Sequence, residues 1–287
     1  MYKKYKEIYW QLALKYEPIV LAALRGQLKD FADDIESNTN AYPWNITDGG
    51  ITQVLIDIHS ESGVLWAKET KRDLQRQGVK FPEKKSFDVT DSDFFEWVVD
   101  YFKTYLLDKS VIDITNTTRK EILLLMEQAI ENGWGAEKLA REIRNSGIAI
   151  IRARAIARTE VGRAMNTGAM IAAVSGNSAT RKKWVSARDN RTRRLNRDEF
   201  DHLSMDGVFA EYDEPFVVPG KNGNEAIDYP QSPTGSAGNV INCRCMNTFK
   251  VVRDQAGNIL TPEQHNPSIV NNGFYKTVNK PRVIQIQ

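Results

Sequence analysis

The texture of this chain changes once along its length, and that change limits the fold more than any other feature. Up to Val174, apolar residues recur at helical spacing. Ile8, Leu12 and Tyr16 do so, as do Ile51, Leu55 and His59, with Val54 and Ile58 on the same face. From Arg181 onward the apolar pieces are short: Trp184-Val185, Val208-Phe209, Phe216-Val217-Val218 and Met246 to Val252. Clusters of Gly, Pro, Asn and Asp separate them, which is the chemistry of short strands joined by turns. Helices followed by strands, without alternation, predict an α+β fold: a helical N-terminal region, then a compact domain of helices and short antiparallel strands.

Local signals divide the helical part. A polar turn runs from Ser37 to Pro43, and Asp48 is placed to cap the helix that follows. Gly78 to Ser86 interrupts the periodicity. Thr118-Arg119-Lys120-Glu121 has the spacing of a capping box and predicts a helix start. Ile122, Leu125, Met126, Ala129 and Ile130 continue one face, and Gly133 stops it. A short helix is expected over Ala136 to Ile143 and a long one over Ile148 to Val174. Ala155, Thr159, Gly162, Met165 and Ala169 on the long helix allow another element to pack tightly against it. Asp254 to Asn258 reads as a hairpin connection ahead of Ile259-Leu260. The resulting division is 1–114 (helical), 115–260 (mixed domain) and 261–287 (a polar tail).

At 287 residues and 41% hydrophobic content, the chain can bury real cores. Its apolar runs, such as Ile122 to Met126, end far short of the roughly 20 residues of a membrane span. The start, Met1 to Glu7, leads into no continuous apolar segment, so no secretion signal is read and no membrane contact is expected. The two cysteines, Cys243 and Cys245, flank one residue. On a strand they share a face with Cα atoms about 6.5 to 7 Å apart, beyond comfortable disulfide reach. A reducing compartment and two buried thiols are expected. Charge is distributed unevenly. Residues 141–197 carry 14 basic and three acidic side chains, a net +11, and 198–229 carry one basic and nine acidic, a net −8. Such blocks either meet nucleic acid or neutralise each other within the fold.

Several polar groups stand in a fixed order. Ala157-Arg158-Thr159-Glu160 lies within the long helix, where Arg158 and Glu160 cannot share a face and must find different partners. Lys183-Trp184 follows on a strand, then Asp189-Asn190-Arg191-Thr192-Arg193, His202 and Asp206-Gly207, and finally Asn242-Cys243-Arg244-Cys245. This ordered set resembles the Mu F-like phage head-morphogenesis family over roughly residues 115 to 250, and Asn-Cys-Arg-Cys is its most specific piece. One departure is that many relatives carry Cys-x-x-Cys after the Asp-x-Arg-Thr segment, where this chain has Arg193-Arg194-Leu195-Asn196. The resemblance implies a minor head protein of a tailed bacteriophage. Such a protein sits in the capsid interior near the portal vertex and resides in host cytoplasm during assembly. It acts in head assembly and in DNA packaging or ejection, with portal, major capsid or scaffolding protein and phage DNA as partners.

The motif residues Arg158, Thr159, Glu160, Trp184, Asp189, Arg191, Thr192, Arg193, His202, Asp206, Gly207, Asn242, Cys243, Arg244 and Cys245 are therefore read as structural and assembly residues. Two alternatives compete with that reading. Arg181, Lys182 and Lys183 beside Trp184 are candidate nucleic-acid contacts within a basic stretch. Glu160, Asp189 and His202 in one cleft would make a hydrolase or transferase, but no nucleophile motif accompanies them. Structural zinc sites take four ligands and usually take cysteines two or more residues apart. Cys243, Cys245 and His202, with Asp206 or Asp189, fall short of this, and neither metal nor cofactor is expected. The aromatic segments Ile8-Tyr9-Trp10 and Phe94-Phe95-Glu96-Trp97 give the N-terminal region apolar surface to cover, which suggests attachment to the particle and an independently folding C-terminal domain.

Overall fold

The computed structural model describes residues 1–37, 41–43, 46–48, 50–81, 99–104 and 106–266. The expected Phe94 to Trp97 stripe and the tail beyond residue 266 lie outside these. Helices α1 (Tyr2–Glu36), α2 (Ile51–Arg76), α3 (Leu107–Glu131), α4 (Ala136–Asn145) and α5 (Ile148–Ser175) precede the first strand. Tyr5, Tyr9, Leu12, Tyr16, Val20, Leu24, Leu28 and Phe31 form the buried face of α1 at spacings of three and four. The cap expected at Asp48 falls instead on Gly50, and no side chain caps α2; the Asp48 carboxylate bonds the Thr52 hydroxyl and its carbonyl accepts from the Ile51 N–H at 2.9 Å.

Helix α5 is the axis of the fold. Every residue from Thr159 to Val174 is buried, so this stretch has no solvent face, and α1 and α2 pack along it. Small side chains permit the approach. A Cβ on Gly168 would lie 2.1 Å from the Gly63 carbonyl oxygen of α2, a backbone atom that cannot swing aside. Gly168→Ala is therefore expected to lower stability by about 1–3 kcal/mol through overpacking. A denaturant melt with an unchanged midpoint would show that the helices can separate without cost.

The helix start read at Thr118 is corrected by the structure. Thr118 lies inside α3, buried, with its hydroxyl bonded back to the Ile114 carbonyl at 3.2 Å and accepting from Arg152 at 2.6 Å. The Glu121 carboxylate faces Arg152 at 3.5 Å. Spacing alone cannot distinguish a capping box from a buried threonine that bonds to the preceding turn. Residue 114 accordingly sits within a continuous helix.

Strand β1 (Thr180–Val185) is the middle strand of a sheet ordered β2-β1-β5, antiparallel to both β2 (Phe209–Glu211) and β5 (Met246–Val251). Strands β3 (Phe216–Val218) and β4 (Glu225–Ile227) form a separate hairpin around Lys221 to Asn224. Short helices α6 (Ala237–Val240) and α7 (Pro262–His265) complete the order. Asp254 to Asn258 turns as expected, with the Asp254 N–H bonded to the Asn258 carbonyl at 2.9 Å. One apolar core runs through all five long helices and takes in Tyr212, Tyr229, Met246, Phe249 and Val251 from the strand region. A smaller core holds Trp184, Phe200, Met205, Phe216, Val218, Ile227, Cys243 and Cys245. Among the described residues, no helix is long and apolar enough to cross a membrane.

Candidate functional site

Three of the polar motifs are hydrogen-bonded to one another where α5, the loop after β1 and the entry to β5 meet. On α5, the Thr159 hydroxyl donates to the Ala155 carbonyl at 2.8 Å and accepts the Asn242 N–H at 3.0 Å. Asn242 takes a left-handed φ of 57°, which asparagine tolerates better than most residues. Two residues on, Arg244 forks onto Asp189, at 2.6 Å to one carboxylate oxygen and 3.3 Å to the other. The same carboxylate accepts the Arg191 N–H at 3.0 Å and the Thr192 hydroxyl at 3.2 Å, closing a tight turn. Burial alone would raise the Asp189 carboxyl, but the Arg244 guanidinium outweighs it and holds the group below its ordinary value. Arg193 donates to the Ile241 carbonyl at 2.5 Å.

Arg158 and Glu160 do part company, as their spacing requires. The guanidiniums of Arg158 and Arg191 both lie over the Trp10 ring, at 5.0 and 5.6 Å. Glu160 is buried, bonded to Arg163 at 2.6 Å and to His59 Nε2 of α2 at 3.0 Å. Arg163 also reaches the Ser110 hydroxyl at 2.8 Å and the Gln231 carbonyl at 3.0 Å. Burial would raise the Glu160 carboxyl, yet Arg163 and His59 together hold it low. Burial likewise depresses His59 despite the adjacent carboxylate, so the ring stays neutral and donates Nε2–H to an anion.

His202, Cys243 and Cys245 converge in the smaller core. His202 Nδ1 lies 3.4 Å from the Cys243 sulfur and 3.7 Å from that of Cys245, and Trp184 packs edge-on to the imidazole at 5.3 Å. Burial would raise the Cys243 thiol, but the bond from Cys245 and the His202 ring bring it well below the ordinary range. Burial and the adjacent sulfur push Cys245 well above it. Asp206 is bonded to the Ser186 N–H at 2.9 Å and paired with Arg188, and the Gly207 N–H meets the Trp184 carbonyl at 2.9 Å.

The candidate nucleic-acid contacts divide by strand alternation. Lys182 is turned inward, 1% exposed, and donates to the Asp228 carbonyl at 2.7 Å, which removes it from any surface that DNA could touch. Burial lowers its ammonium to about 8. Arg181 pairs with Glu211 at 2.9 Å, and Lys183 lies over the Phe209 ring at 5.3 Å. Elsewhere in the basic stretch, Arg144 meets Asp33 and Glu36, Arg154 meets Glu17 and Arg197 meets Asp198. Glu160, Asp189 and His202 each belong to a different set of partners, so the described contacts do not assemble them into one catalytic group.

Sequence reading missed His59, Arg163, Gln231 and Asn239. The spacing of Glu160 and Arg163, three residues apart on one helix, was a usable signal for an ion pair. Gln231 gave none, although it donates to the Cys243 carbonyl at 2.8 Å and fills the notch at Gly162.

The helical axis is thus tied to the strand module by buried polar bonds from the motif residues. Residues 120–248 match the model of the family described as Phage Mu protein F like protein. No curated protein and no solved structure matches the chain.

Proposed function

We propose that the chain is a minor head protein of a tailed bacteriophage, acting in head morphogenesis near the portal vertex from inside the capsid. The observation that supports this is the family match over residues 120–248. The motif groups within it are spent on internal hydrogen bonds, which favours assembly over chemistry. Its partners on this reading are the portal protein and the major capsid or scaffolding protein, with phage DNA as a neighbour during packaging or ejection. Quantitative mass spectrometry of purified heads tests it. The chain is expected at low copy in heads that contain portal and strongly depleted from shells assembled without portal. Equal abundance in both would remove the portal-vertex assignment, and absence from all heads would remove the virion role.

A further inference from the structure

The cluster of His202, Cys243 and Cys245 has the dimensions of a metal site. Their three candidate ligand atoms all lie within 4.8 Å of one another, and each residue is at most 2% exposed. A tetrahedral zinc ion with Zn–S of about 2.3 Å and Zn–N of about 2.0 Å places nitrogen and sulfur ligands roughly 3.6 Å apart. The observed separations from Nδ1 are 3.4 and 3.7 Å.

The imidazole is also set for coordination. Glu225 can only accept, so Asn239 presents its Nδ2 to that carboxylate at 2.8 Å and its Oδ1 to His202 Nε2 at 2.6 Å. The Nε2 atom therefore carries the hydrogen, and the lone pair of Nδ1 faces the two sulfurs. This Glu225–Asn239–His202 chain is the kind of outer support that fixes the tautomer of a metal-bound histidine. One S–H···N bond satisfies one thiol and the two sulfurs bond each other, and the Nδ1 lone pair is the acceptor on which both converge. The Cys245 N–H points at the Cys243 sulfur at 3.4 Å, a donor that favours an anionic acceptor. The buried Trp184 indole N–H acts on the Cys245 sulfur from beside the cluster.

The surrounding fold has use for a cross-link. The core around these residues is small, eight buried side chains, and the segment that delivers His202 between β1 and β2 contains no regular strand or helix of its own. Among the described residues no carboxylate joins the cluster. Asp206 is held by Ser186 and Arg188, and Asp189 by Arg244.

We propose that His202 Nδ1 and the thiolates of Cys243 and Cys245 bind one zinc ion, with a water molecule as fourth ligand, and that the ion pins the 186–208 segment to the entry of β5. This departs from the expectation drawn from ligand count and spacing in the sequence, and it does not depend on the assembly role. Binding converts both thiols to thiolates and releases their protons to solvent. The soft sulfur pair with imidazole selects zinc over magnesium or calcium.

Elemental analysis of the full chain, purified under reducing conditions without chelator, is expected to give about one zinc per molecule. Titrating chelator-stripped protein with cobalt(II) should produce sulfur-to-cobalt charge transfer and the visible bands of a tetrahedral site. The Cys243→Ser, Cys245→Ser double variant should lose at least tenfold in zinc content. Should that variant fail to fold, Asn239→Ala leaves all three ligands in place and is expected to weaken zinc about 10- to 100-fold. Protein that contains less than a tenth of an equivalent of zinc and shows no charge transfer with cobalt overturns the site. Full zinc content in a folded double-cysteine variant overturns it equally.

Discussion

Deleting residues 1–113 is expected to leave a C-terminal fragment that aggregates or melts without cooperativity. The family match begins at residue 120, and the sequence alone suggests a domain that stands by itself. The physical structure argues otherwise. The buried stretch of α5 is covered by α1 and α2, whose Leu24, Leu55, Ile58 and Trp66 share one core with Val161, Met165 and Ala169. Removing them would expose a long apolar helix face. It would also strip the His59 partner from Glu160 and interrupt α3, which is continuous from Leu107. Solubility and calorimetry of the 114–287 fragment decide the matter. A soluble species with a sharp transition would establish an independent domain.

Glu160→Ala is expected to cost about 3–5 kcal/mol, because it leaves Arg163 buried beside a neutral histidine without its counter-charge. For a chain of this size that is a fall in Tm of roughly 10 °C. Glu160→Gln, which keeps a bond to His59, should lose less. The pH dependence has a definite sign. His59 and Glu160 are both held below their ordinary values, so each contributes stability above its unfolded pKa and loses it as pH falls. Loss should begin as pH drops through about 6.5, where the unfolded histidine protonates, and deepen below about 4.3 with the carboxylate. Replacing His59 with Gln should abolish the first phase and leave the second. A wild-type stability curve that is flat from pH 7 to pH 5 would show that His59 is not buried as a neutral ring.

Periodicity located the long helices because each buries a regular set of positions, and Ile148 to Val174 was read to within one residue of α5. It located β1, β3 and β5 because each pairs short apolar runs with turn-forming neighbours. Strand β4 escaped notice since Glu225-Ala226-Ile227 buries only Ile227, and its pairing with β3 supplies what its own sequence does not. The site was legible as a set of residues but not as a set of contacts. The sequence shows Cys243 and Cys245 one residue apart, and only the fold brings His202 between their sulfurs. Similarly, His59 looks like one more position on a helical stripe until the crossing at Gly63 and Gly168 sets α2 beside Glu160. Long-range polar partners have no period, and no rule of spacing finds them.

The contact of Trp10 with Arg158 and Arg191 bears on how α1 would behave at high ionic strength. Exposed ion pairs such as Lys15 with Glu61 weaken as dissolved ions screen them, over a Debye length that shrinks from about 10 Å at 0.1 M to about 3 Å at 1 M. A guanidinium lying over an indole ring adds close dispersion contact to its attraction for the ring quadrupole, and that dispersion part is not screened by dissolved ions. The grip of α1 on the two motif arginines should therefore outlast its ion pairs in a concentrated counterion atmosphere like the one that surrounds packed DNA.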